Sequence, residues 1–358
     1  APFIEVIDEI KEAGGEVYKL CFQCGLCDVV CPWNKVRTFS MRKIIREAAF
    51  GLSEVEGEDI WRCTTCGTCP AQCPRGVKQI DVSVALRRLA SQYEMFPASV
   101  KPARTARASL ISEGNPLQGE RGKRAEWTKG LSVKPYEEGM EALYFVGCYF
   151  SYDPRMKKVA QATVNILKQA GVSFGILGEK ENCCGESIRK TGSEKVFKKL
   201  AKENIKTFID NGVKKILVSS PHCYHTFKNE YPEFMVNFEV LHITQYLSEL
   251  IDEGRLQFNK AYGKKVTYHD PCYLGRHNGV YDEPRELLEA IPGVSLVEMY
   301  HSRGTSICCG GGGGGMWLDG YAWEKTHTRT SEWRIAEAIG VGAEVLAVSC
   351  PFEAPRFE

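Results

Sequence analysis

Apolar positions along this chain recur with two different periods. Near the N-terminus the spacing is helical: Met41, Ile44, Ile45, Ala48 and Ala49 fall on one face of a helix over 40–51. Segments 3–13 and 82–96 read the same way. From residue 142 onward, short apolar strands alternate with amphipathic helices. The strands are ALYFVGC (142–148), KILVSSPHC (215–223), KKVTYHDPC (264–272) and EVLAVSC (344–350). Helices are expected over 156–170 and 194–211, with Gly171 and Gly212 placed to end them, and over 283–290 and 321–339. Alternation of this kind predicts parallel α/β units with their ligands at the carboxyl ends of the strands. Between the two patterns, residues 97–140 show no clear period and gather Lys101, Arg104, Arg107, Arg121, Lys123, Arg124, Lys129 and Lys134. That stretch reads either as a solvated linker or as a docking surface for a partner.

The α/β part repeats itself. Cys148, Cys183, Cys184 and Cys223 are followed by Cys272, Cys308, Cys309 and Cys350 at offsets of 124, 125, 125 and 127 residues. In both copies the vicinal pair precedes a glycine, Gly185 or Gly310, and each single cysteine closes a strand. Agreement at so many positions in register indicates a duplication.

Composition changes the picture at one residue type. The chain has 358 residues, 43% hydrophobic and 25% charged, and 46 Lys+Arg against 45 Asp+Glu leave a net charge of +1. Nothing there favours nucleic acid or an anionic membrane as partner. No apolar run approaches the roughly 18 residues a bilayer requires, and APFIEV at the start carries no secretory pattern. Cysteine, by contrast, occurs sixteen times. An even count fits disulfides in a secreted chain, but this chain is far larger than disulfide-dense scaffolds, and the spacing is that of metal ligands.

Two runs carry that spacing: Cys21, Cys24, Cys27, Cys31-Pro32 and Cys63, Cys66, Cys69, Cys73-Pro74. Each is the bacterial two-cluster pattern, in which three thiolates hold one [4Fe–4S] cubane and the fourth reaches across to the other. Cys21, Cys24, Cys27 and Cys73 are therefore expected around one cubane, and Cys63, Cys66, Cys69 and Cys31 around a second. Zinc sites use two separated pairs and fit poorly. Gly25 and Gly67 leave room for backbone N–H groups beside sulfur, and Trp33 and Trp61 stand where they can shield a cluster. Vicinal thiols cannot easily serve one undistorted tetrahedral site, but they can serve an irregular cluster in which one thiolate bridges two irons. The glycine run 310–315 lets backbone fold closely around such a group.

The expected fold class is α+β multidomain: a helical ferredoxin-like two-cluster domain (1–96), a linker (97–140), then a duplicated α/β domain with repeats at 141–262 and 263–358.

With both ferredoxin runs and both CCG repeats, and with segments such as HDPCYLGRHNG and SPHCYHTF, the chain resembles the CCG-domain iron–sulfur reductases. The D subunit of heterodisulfide reductase and the K subunit of the sulfite-reductase-associated membrane complex are similar, as are iron–sulfur subunits of glycolate, lactate and anaerobic glycerol-3-phosphate dehydrogenases. The resemblance implies one or two noncubane [4Fe–4S] clusters at the CCG units, each held by five cysteines ending in Cys-x2-Cys. This chain departs from that pattern, with Thr226 and Glu353 in the fifth positions. His222, His225 and Glu353 are open as replacement ligands or as hydrogen-bonding groups. Likewise His277 or His269 could protonate a leaving thiolate near Cys308 and Cys309, or simply hydrogen-bond. The resemblance further implies an anaerobic, cytoplasmic electron-transfer subunit, working with a membrane cytochrome b, a flavoprotein or another iron–sulfur subunit. Two functions follow as expectations: reduction of a disulfide or trisulfide at the second CCG unit, or a non-catalytic wire from a flavoprotein dehydrogenase to a quinone pool.

Overall fold

The computed structural model describes residues 2–52, 57–318 and 328–358. Its N-terminal part is helical. Helix α1 (Ile4–Ile10) runs into a tight turn that reverses at Gly14, φ 95°. Helix α2 (Met41–Phe50) starts at Ser40, whose hydroxyl accepts from the Lys43 amide, and stops at Gly51 in the left-handed region. It buries Met41, Ile44, Ile45 and Ala48, the face that the spacing anticipates. Helix α3 (Gln79–Gln92) begins three residues before the expected start and ends four before the expected end. These helices enclose one core in which Trp33, Trp61 and Cys63 are buried and Cys21, Cys27 and Cys31 pack alongside.

Residues 97–140 are more ordered than their sequence suggests. Helix α4 (Lys101–Glu113) carries Pro102 in its first turn and turns Ala103, Ala106, Ser109 and Leu110 inward. Small inward residues, rather than large apolar ones, hide its period. Trp127 then packs edge-on against Tyr144, and Arg124, expected on a basic surface, is only 2% exposed. The stretch thus lies against the first α/β unit.

That unit is a parallel sheet in the order β2-β1-β3-β4. Its elements are β1 (Ala142–Phe145), α5 (Pro154–Gln169), β2 (Phe174–Gly175), α6 (Glu194–Asp210), β3 (Lys215–Val218), β4 (Glu239–His242) and α7 (Ile243–Asp252). Gly171 and Gly212 end α5 and α6 with φ near +67°, in keeping with their placement. Among the described residues the second unit has the order β6-β5-β7, built from β5 (Lys265–Tyr268), α8 (Glu283–Glu289), β6 (Ser295–Leu296), α9 (Thr330–Gly340) and β7 (Val345–Ala347). The first part of the helix expected over 321–339 lies outside the described residues. Every strand pair in both sheets is parallel, so the loops after β1, β3, β5 and β7 place Cys148, Cys223, Cys272 and Cys350 at the carboxyl ends.

Candidate iron–sulfur sites

The two ferredoxin runs fold as copies of one loop. Gln23 and Thr65 occupy matching left-handed positions, φ 64° and 54°, as do Gly25 and Gly67, φ 85° and 80°. This geometry aims the amides of Gln23 and Thr65 at the sulfurs of Cys21 and Cys63, each at 3.4 Å. Around the first loop, Cys21, Cys24 and Cys27 line one cavity together with Cys73 from the second run. Around the second loop, Cys63 and Cys69 stand close enough to Cys31 of the first run for their charges to act on one another. Burial, reinforced by Cys63 and Cys308 nearby, pushes the Cys31 thiol up to about 12. Burial and the neighbouring Asp28 push Cys27 up to about 12 as well. All sixteen cysteines are free thiols. Loops that converge thiols and amides in this way fit anionic iron–sulfur clusters.

In the first CCG unit, Cys223 Sγ lies 3.4 Å from Cys184 Sγ. The Gly185 amide faces Cys183 Sγ at 3.5 Å. Gly185 has φ +90°, and a Cβ there would stand 2.8 Å from Phe197. Glu181 is buried behind Cys148: it accepts from the amides of Val146 and Gly147 and from Arg124 Nη2 at 2.7 Å. The same Arg124 nitrogen reaches Cys148 Sγ at 3.6 Å. Arg124 is thus a site residue, although its sequence neighbourhood suggests a basic surface. Only its burial, through a fold contact 57 residues away, identifies it. The four cysteines line an apolar cavity with Leu110, Phe150, Ile188, Trp317 and Phe352.

The second CCG unit is joined directly to the second ferredoxin loop. Cys66, Cys272, Tyr273 and Cys308 form one buried cluster, and Thr64 Oγ1 lies 3.5 Å from Cys308 Sγ. Cys272 first, then Cys309 and Cys66, hydrogen-bond to Cys308 and draw its pKa well below the usual thiol value. Cys308 is 2% exposed and forms the floor of a cleft lined by Pro32, Thr68, His301, Thr305 and Ile307. The glycine run is a fitted surface rather than a tether. A Cβ on Gly312 would meet the Thr64 carbonyl at 2.5 Å, and one on Gly313 would meet the Cys63 carbonyl at 2.5 Å.

The replacement-ligand candidates separate. Glu353 brings a carboxylate within 4.8 Å of both Cys309 Sγ and His269 Nε2 and accepts from the amides of Ser349 and Cys350. It can complete the second CCG site. Arg334 Nε donates to His269 Nδ1 at 2.9 Å, so Nε2 carries the proton and faces Glu353 Oε1 at 3.3 Å. His269 is therefore a donor to Glu353 rather than a vacant ligand. His222 stacks between Tyr273 and Phe352, ring centroids 4.3 and 4.4 Å away, and pairs with Glu186. His225 is held by Asn229 and Asn278. These two histidines join the CCG units and hold their shape.

Of the two roles open to it, proton donor or hydrogen-bonding group, His277 displays the hydrogen bond. Its Nε2–H is taken by the Thr65 carbonyl at 2.8 Å, and burial lowers its pKa to about 4. At neutral pH the ring is uncharged and its one N–H is committed to the ferredoxin loop. Beside it, Arg276 Nε donates to the Cys66 carbonyl at 2.9 Å, and the Tyr273 hydroxyl bonds Thr65 Oγ1 at 2.7 Å. Together these residues clamp the loop that bears Cys63 and Cys66.

Fold and sites define an iron–sulfur electron-transfer protein with a two-cluster domain and two cysteine-rich units. The 4Fe-4S dicluster domain is matched over residues 18–77, and the cysteine-rich domain twice, over 142–228 and 266–352. The chain is 32% identical over 366 residues to the D subunit of the dihydromethanophenazine:CoB–CoM heterodisulfide reductase of Methanosarcina barkeri, covering 93% of this chain and 86% of that protein. It belongs to the same family, the CCG-domain iron–sulfur reductases. It is 42% identical over 304 residues to the probable iron-sulfur-binding oxidoreductase FadF of Bacillus subtilis, covering 82% of this chain and 42% of that protein. It is 39% identical over 309 residues to the EtfAB:quinone oxidoreductase of Syntrophomonas wolfei, covering 83% and 43%. The chain thus spans less than half the length of those two relatives. Among the described residues no helix is long and apolar enough to cross a membrane.

Proposed function

We propose that this chain is the iron–sulfur arm of a larger oxidoreductase and conveys single electrons between a flavoprotein and a quinone-reducing partner. Cys21, Cys24, Cys27 and Cys73 hold one cubane, Cys31, Cys63, Cys66 and Cys69 the second, and the CCG cysteines one or two further clusters. Such clusters supply one-electron redox chemistry. The residues supply the order of the route: from Cys24 at the surface, through the second ferredoxin loop, to Cys308. The observation that carries this reading is the buried contact of Thr64 and Cys66 with Cys308 and Cys272. Arg87, Arg276 and His277 hold the loop carbonyls away, so that its amides face sulfur. Four cysteines at each CCG unit, where five are expected of a disulfide reductase, support a relay. So does the similarity to an EtfAB:quinone oxidoreductase.

A second reading, reduction of a disulfide or trisulfide at Cys308 and Cys309, is favoured by the cleft that ends at Cys308. The two readings separate in one experiment. The anaerobic, cluster-loaded chain is reduced with electron-transfer flavoprotein in its reduced form and then mixed with the CoM–CoB heterodisulfide, while the cluster absorbance is followed. Reduction by the flavoprotein without reoxidation by the heterodisulfide is the expected result. Rapid reoxidation that is lost in Cys308→Ser would replace the relay with the reductase.

A further inference from the structure

The twin ferredoxin loops meet opposite surroundings. Thr65 in the second loop is fully buried, roofed by Tyr273, Arg276 and His277 of the second CCG unit. Its counterpart in the first loop has no such roof among the described residues. Cys24 is exposed, and Phe22 beside it is 59% exposed, with Leu20 and Leu26 also open to solvent. A large aromatic left on the surface next to a redox site is a contact surface in search of a partner.

The rim of this face is basic. Arg42 stands 3.4 Å from where a Gly25 side chain would begin, and with Arg75 it lines the cavity of Cys21, Cys24, Cys27 and Cys73. Arg46, one turn along α2 from Arg42, and Lys78 beyond Arg75 are exposed as well. Three of the acids here are paired, and a fourth, Asp81, is partly buried near Lys78. Asp28 accepts from Ser40 and from the Arg42 amide and lies 3.7 Å from Arg42 Nε. Glu16 pairs with Lys19 and Glu47 with Lys43. The chain as a whole is almost neutral, so the positive rim is local. An apolar centre flanked by Arg42, Arg46 and Arg75 matches a carrier whose own redox group is flanked by carboxylates.

We propose that the face formed by Phe22, Cys24, Leu26, Arg42 and Arg75 is the electron port of this protein, and that its partner there is an acidic one-electron carrier protein. This deepens the relay reading and rests on a cluster being held by Cys21, Cys24, Cys27 and Cys73. In each encounter the carrier gives up one electron and this site gains one, with no bond made or broken and no proton moved. The second ferredoxin loop is roofed at Thr65 and Cys66 by the second CCG unit, and electrons reach it through the first.

The test uses the cluster-loaded chain and flavodoxin hydroquinone, an acidic one-electron donor, in anaerobic stopped flow. Reduction should slow by about tenfold or more between low and about 0.3 M salt. The double variant Arg42→Glu/Arg75→Glu should slow it about as much at low salt, while speeding reduction by the methyl viologen radical cation. Arg104→Glu, on helix α4 and outside the lining of this cavity, should change neither rate. EPR spectra and iron content of the variants report separately on the clusters. Unchanged rates with both donors, in variants whose cluster signals are intact, would place the port elsewhere and overturn this inference alone. Absence of the first-loop cluster signal from the wild-type chain would overturn the relay reading and the port with it.

Discussion

Arg87 collects four backbone carbonyls with one fully buried side chain. Its Nε donates to Ile60 at 2.8 Å, Nη1 to Lys190 and Gly313 at 2.9 Å each, and Nη2 to Cys63 at 2.6 Å. Those carbonyls belong to the ferredoxin part, the first CCG unit and the glycine run of the second, so a single guanidinium joins three parts of the chain. Its planar fork suits this task, whereas a lysine ammonium could not span the same acceptors. Replacing it by methionine keeps much of the volume but leaves the carbonyls buried and unpaired. Arg87→Met should cost on the order of 3 kcal/mol or more, read as a lower urea midpoint. Arg87→Lys should recover little of that loss. A midpoint equal to wild type would mean the carbonyls find other donors.

Two structural elements carry predictions of their own. Strand β4 ends at His242, which caps α7 by accepting from the Thr244 amide while its Nε2–H donates to the Ser219 carbonyl. Burial lowers its pKa from the ordinary 6.5 to about 4. The unfolded chain takes up the proton first, so this contribution is complete above about pH 6.5 and is lost as pH falls to about 4. The slope is about 1.4 kcal/mol per pH unit across that window. Denaturation midpoints of His242→Gln should therefore fall less steeply than wild type between pH 6.5 and 4, and parallel curves would contradict the assignment. The glycine run makes the second case. Gly313 has φ +58° and no space for a Cβ, so Gly313→Ala should destabilise by about 2–4 kcal/mol through strain and overpacking. It should also slow reduction of the CCG clusters more than that of the first-loop cluster. Helices with large inward residues, such as α2 and α5, are legible from spacing alone. Helix α4 is not, because Ala103, Ala106 and Ser109 carry no hydropathy signal. Strand β4 and helix α7 escape the sequence reading although Val240, Tyr246, Leu247 and Leu250 offer a signal. They fall between the two copies of the cysteine pattern, where no cysteine marks them.

At the scale of the whole molecule, the order of the modules is readable from sequence but their contact is not. Cysteine spacing marks the ferredoxin loops because their cysteines are local in sequence, the CCG units show through their repeat, and strand-terminal cysteines follow from parallel topology. What joins the modules is non-local. Thr64 meets Cys308 across 244 residues, and Arg124 meets Glu181 across 57. No period or motif marks such pairs. His277 stands out in the sequence by its polar neighbourhood, yet only the fold reveals the Thr65 carbonyl that claims its proton. The central claim is that the CCG cysteines hold iron as part of one route with the ferredoxin loops. The most direct test is iron and acid-labile sulfide per chain after anaerobic purification, with EPR of the reduced protein. About twelve to sixteen irons, falling by about four in Cys308→Ser with the ferredoxin signals kept, is the result expected. About eight irons in the wild type, unchanged by Cys308→Ser, would leave the CCG units empty and contradict the account.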